Sequence, residues 1–302
     1  MIVGIPLMKK YFITLLAFIC SLLTSFAETE DSPVSETEDS PVKDSHTLLS
    51  EGYLQLQSGQ KDEALATFDQ ILKQDADNQY ARFGQALTFA QQKRHADAFA
   101  AYDWITRQNP HHIEAWNGRG LAAFNMEDFD EALASFEMSV ADQPVNGFLY
   151  ESIAWTQMCR GEFKEAADWA KTALLMYHRK GEVSMYPLLI AYFSYNESGD
   201  AENALRVLKY ANKEKSSIHW PTPVIDYLSN RINEAELISS VSSLSEETEA
   251  HTYIGLNMRL LDNPEKAERH LSWVSREGDS EVFEYTVAKT LTLKQGVVLT
   301  DR

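Results

Sequence analysis

The densest run of candidate metal ligands in this sequence is His111-His112-Ile113-Glu114. A helical zinc motif needs two histidines four residues apart with an acid between them, and this run lacks that spacing. It reads instead as a polar junction ahead of a helix. His219, His251 and His270 fall in separate segments and read as surface or packing residues. Cys159 has no local partner, so its thiol is expected to be buried rather than nucleophilic. No glycine-rich loop is present to cradle a phosphate, and the 13 glycines read as helix turns and close packing. No nucleophile, base and orienting group coincide. The chain is expected to be no enzyme, with no metal and no cofactor.

Composition narrows the remaining classes. The chain has 302 residues, 44% hydrophobic and 24% charged, which is a globular balance. Acids outnumber bases 45 to 27, for a net charge of -18. Attraction to nucleic acid or to an anionic bilayer is therefore not expected to be its main work. Two cysteines make no disulfide framework.

The elements that position these residues follow a repeat. Ala64, Ala98, Ala132 and Ala166 lie 34 residues apart. Four residues after each stand Phe68, Tyr102, Phe136 and Ala170, and twelve before each stand Gly52, Ala86, Gly120 and Ala154. Pro110 and Pro144 follow the second and third copies, where a proline ends a helix. Small residues let two antiparallel helices approach, and the bulky residue one turn later fills the gap to the next pair. The pattern resembles the tetratricopeptide repeat (TPR).

The expected fold is all-α, a TPR solenoid of antiparallel helix pairs forming a right-handed superhelix, with a C-terminal capping helix. Four regular repeats are expected over 45–178 and a fifth over 179–215 after a short insertion. A degenerate helical pair (223–227 and 234–241) should occupy 216–247. The last repeat and a cap near 281–293 should occupy 248–302.

Ahead of the repeats, Lys9-Lys10 precedes an apolar run from Tyr11 to Leu23 and the small residues Ser25 and Ala27. This is the pattern of a secretory signal peptide over 1–27. Glu-Thr-Glu-Asp-Ser-Pro-Val then occurs twice within 28–44, an acidic segment with no large apolar residue, expected to be a disordered linker. The chain is therefore expected to be secreted across the inner membrane, periplasmic or envelope-associated. It should touch a membrane only through its N-terminus, either uncleaved or lipidated at Cys20.

Residues 220–292 add a second resemblance. Trp220, Val224-Ile225-Asp226-Tyr227-Leu228, Ile232, Glu249, Tyr253-Ile254-Gly255, Val282 and Glu284-Tyr285 are similar to the C-terminal part of NlpI-type bacterial TPR lipoproteins. That resemblance implies an outer-membrane adaptor for cell-wall hydrolases and a periplasmic protease. Ile19 before Cys20 departs from the family's small residue at the lipidation site.

In TPR arrays the first helix of each pair lines the concave side. The expected partner-binding residues there are Tyr53, Phe83, Leu87, Asn117, Leu121, Phe124, Asn125, Glu151, Trp155, Met158, Phe193 and Asn196. None is basic, which argues against a carboxylate clamp and against acidic or phosphorylated ligands. Apolar and aromatic anchors suit a peptide with hydrophobic side chains, with the asparagines bonding its backbone. The expected function is a non-catalytic scaffold or adaptor that binds a protein or peptide, with no nucleic-acid partner. The alternative is a structural, self-associating protein, a homodimer whose row packs on itself.

Overall fold

A computed structural model describes residues 44–215 and 219–298, with side chains in the last helix as far as Thr292. The expected signal peptide, and the linker up to residue 43, lie outside the described residues. All regular structure among the described residues is α-helical. Two compact units share it, divided between Met126 and Glu127.

The first unit holds α1 (Ser45–Gln57), α2 (Lys61–Gln74), α3 (Gln79–Gln91), α4 (His95–Gln108) and α5 (Ile113–Asn125). The second holds α6 (Phe129–Asp142), α7 (Gly147–Arg160), α8 (Phe163–Arg179), α9 (Tyr186–Glu197), α10 (Ala201–Glu214), α11 (Thr222–Leu228), α12 (Glu234–Ser239), α13 (Leu244–Leu260), α14 (Pro264–Glu277) and α15 (Phe283–Val298). Within each unit, helices consecutive in sequence pack on each other. First helices of neighbouring pairs also touch, α1 with α3 and α3 with α5. This is the arrangement of the repeat.

Local chemistry sets the boundaries. Asp44, Asn78, Asp128, Asn146 and Asp200 each accept a backbone N–H in the first turn of the helix that follows. Asp44, assigned to the linker by sequence, is the cap of α1. Pro110 and Pro144 stand two residues beyond the ends of α4 and α6. The turns inside the pairs keep the 34-residue register in their backbone. Gly59, Lys93, Glu127 and Gly161 all have positive φ, between 60° and 86°. At Gly161 (φ 86°) the absence of Cβ removes the steric cost of that conformation.

The repeat residues do the packing that their spacing predicts. Ala64, Ala98, Ala132, Ala166, Phe68, Tyr102 and Phe136 are all buried. Phe68 lies between Gly52 of its own pair and Gly84 of the next. A Cβ on Gly84 would stand 2.3 Å from the ring and one on Gly52 2.8 Å. Tyr102 meets Gly118 in the same way, at 2.4 Å.

The irregular segment contains the short helices α11 and α12, and α13 begins at Leu244. The last helix covers the final pair by packing on α14, and it also packs on α13 and α7.

Candidate functional site

The expected concave row is built into the interior. Tyr53, Phe83, Leu87, Asn117, Phe124, Glu151, Trp155, Met158 and Phe193 are buried, and Leu121, Asn125 and Asn196 are half-buried. In this chain the row is therefore packed rather than exposed. In the first unit the physical reason is the contact between neighbouring first helices, which uses the same face.

In the first unit the Tyr53 hydroxyl donates to the Tyr80 carbonyl at 2.8 Å, and its ring meets Phe68 edge-on at 5.1 Å. Phe83 packs edge-on against Tyr102 at 5.7 Å and stacks on His112 at 5.1 Å. The Oδ1 of Asn117 is buried and finds no hydrogen-bond partner among the described residues. His112 caps α5 by accepting the Ala115 N–H at 3.3 Å, so the histidine run has a structural role there.

In the second unit the row is covered by α13 and α15. Phe193 stacks on Tyr253 at 5.8 Å, and the Asn196 amide donates to the Tyr192 carbonyl at 2.8 Å. Trp155 stacks on Phe283 at 6.1 Å with the rings 12° from parallel, and Phe148 lies 6.3 Å from the same ring. Cys159 is buried on α7. The face of α7 thus packs against a helix of its own chain, α15.

Three carboxyls line this seam. Glu151 on α7, Glu249 on α13 and Glu284 on α15 are exposed by only 1–3%. The Tyr253 hydroxyl donates to Glu284 at 2.6 Å. Tyr186 and the Trp220 indole donate to Glu249 at 3.0 and 2.6 Å. Ser184 donates to Glu151 at 3.4 Å. Burial disfavours the charged form, so the Glu151 carboxyl is pushed up to about 8. Burial raises Glu284 and Glu249 also, and their mutual repulsion lifts Glu249 further. Sequence reasoning placed Glu151 on the row and Glu249 and Glu284 in a family-like stretch, and gave the three no shared role. Glu151, an acid inside the largely apolar stretch 148–155, was the available signal.

A second cluster joins residues that the sequence left scattered. His270 on α14 meets His251 on α13, Nδ1 to Nδ1, at 3.0 Å, and its Nε2 lies 3.2 Å from Glu234 on α12. His251 stacks on Trp273 at 4.0 Å. Burial lowers both imidazoles, His251 to about 4. A neutral pair fits this geometry, with one ring donating to the other. His219 is exposed. Among the described residues, no group of three or more His, Cys, Asp or Glu side chains is placed to hold a metal ion.

Comparison with known proteins agrees with this architecture. Residues 49–113, 100–147 and 117–181 match the family model of the tetratricopeptide repeat. No curated protein matches the sequence. Among solved structures, YrrB, described as a TPR protein with an unusual peptide-binding site, superposes with a TM-score of 0.54. It is 14% identical and covers 70% of this chain and 100% of its own. A MamA structure superposes with a TM-score of 0.53 at 17% identity, over 57% of this chain and 96% of its own. MamA from Desulfovibrio magneticus RS-1, residues 41 to the end, gives 0.52 at 14% identity, over 57% and 97%. At these identities the likeness is one of fold.

Proposed function

We propose that this chain, whose residues 49–181 are tetratricopeptide repeats, is a non-catalytic scaffold outside the cytoplasm that holds a partner polypeptide, such as a cell-envelope enzyme or protease. One observation carries the reading. The groove on α7 holds a helix through stacked rings, Phe283 on Trp155, with Phe148 beside them. Aromatic anchors in a concave helical surface are the means by which grooves recognise helical peptides. The peptide-binding site attributed to YrrB lends support at the level of fold. The Lys9-Lys10 pair and the apolar run behind it support export.

The test is affinity capture by the full chain from an envelope fraction, followed by titration of the purified captured protein against the chain. Saturable binding by a chain that itself fractionates with the envelope is expected. Recovery of its own copies alone, or residence in the cytoplasmic fraction, would overturn the reading, the first in favour of self-association.

A further inference from the structure

The last described helix sits on three others through a patch with two kinds of contact. The apolar kind is Phe283, stacked on Trp155 and close to Phe148, with Val287, Ala288 and Leu291 buried behind it. The polar kind is the carboxyl cluster, to which α7, α13 and α15 each give one glutamate. The side chains that act on these carboxyls come from α8, α13 and the segments that open α9 and α11, and none comes from α14. They are Tyr177 on α8, Ser184 and Tyr186 at the start of α9, Trp220 ahead of α11, and Glu246 and Tyr253 on α13. Glu182 lies near Tyr177. None of these is a cation.

Neutral carboxyls accept hydrogen bonds in such a site at small cost. Charged ones are desolvated and repel one another. Of the three helices, α7 packs between α6 and α8 and α13 between α12 and α14, whereas among the described helices α15 has a sequence neighbour, α14, on one side alone. Relief of the repulsion is therefore cheapest by movement of α15, a local opening rather than global unfolding. The Lys289–Glu127 ion pair also ties α15 down, but both groups are about a third exposed, and such pairs contribute little.

We propose that α15 is an exchangeable occupant of the α7 groove, held while the three buried carboxyls are protonated and released when they carry charge. Release uncovers Phe148, Trp155 and Tyr253. What enters next rests on the scaffold reading above, namely an amphipathic helix that presents an aromatic residue where Phe283 now stands.

The experiment is hydrogen exchange on the full chain at about pH 6 and pH 8.5, corrected for intrinsic exchange rates. Protection of the α15 amides is expected to fall about tenfold or more at the higher pH, with α1 to α5 unchanged. Glu284→Gln is expected to keep α15 protected at pH 8.5, and Glu151→Gln, on the other wall, to do the same if the first variant folds poorly. Equal protection at both pH values would overturn the proposal. So would release in both glutamine variants as in the parent, or parallel loss across all of 127–298. In the same samples a labelled peptide of residues 281–298 reads the groove in trans. Release of α15 with no binding of that peptide would count against the groove as a docking site while leaving the release itself established.

Discussion

At the scale of single residues, two kinds of buried position differ in how well the sequence exposes them. The seat of Phe68 was half legible. Its spacing to Ala64 and Gly52 marks a close approach within one pair. Gly84, the tighter neighbour at 2.3 Å, belongs to the next pair and has no mark of its own in the consensus. Gly84→Ala should therefore cost roughly 1–3 kcal/mol through overpacking against the ring, read as a lower urea midpoint with an unchanged slope. The carboxyls were less legible still, because Glu151 and Glu284 meet only when the last helix folds back over a helix more than 100 residues earlier. Their effect has a definite sign. A carboxyl whose folded value is raised to about 8 contributes stability that is complete below its ordinary value of 4.5 and is lost as pH rises to about 8. The parent chain should lose stability between those limits. Glu151→Gln should lose less, by roughly 2–4 kcal/mol, when urea midpoints at about pH 5 and pH 8.5 are compared.

Elements were read more reliably than faces. The spacing of alanines and aromatics predicts the paired helices, and α2, α4, α6 and α8 carry those alanines where expected. The faces are packed for a reason of geometry. The same side of α1, α3 and α5 that would meet a ligand meets the neighbouring first helix, so Tyr53 and Phe83 are consumed by packing. Nothing in a single 34-residue copy distinguishes those outcomes. The seam of α12, α13 and α14 shows a second property that emerges only between elements. His251 and His270, held neutral by burial, contribute stability that is complete above their ordinary value of 6.5 and lost as pH falls, for His251 toward about 4. His251→Phe, which keeps an aromatic ring over Trp273, should flatten that acid limb. Thermal midpoints at about pH 5 and pH 7, compared between parent and variant, measure it. An unchanged acid limb would show that the pair does not titrate within the fold.

For the whole molecule, charge is the property that sequence conveys best, since it needs no structure. A net charge of -18 should leave the full chain unable to shift duplex DNA in a gel at about 0.15 M salt. A shift would mean that a local basic patch outweighs the total.

The carboxyl cluster also makes folding a reaction that takes up protons. Near neutral pH an unfolded chain carries Glu151, Glu249 and Glu284 ionised, whereas the folded chain keeps Glu151 and Glu249 largely protonated and Glu284 partly so. Unfolding therefore discharges as many as three protons into the buffer, one from each side chain. The heat absorbed in a calorimeter must then depend on which buffer receives them. Phosphate and Tris, with very different ionisation enthalpies, should report different unfolding enthalpies for the same structural change. The difference between them, divided by the difference in buffer enthalpy, counts the protons stored beneath the last helix.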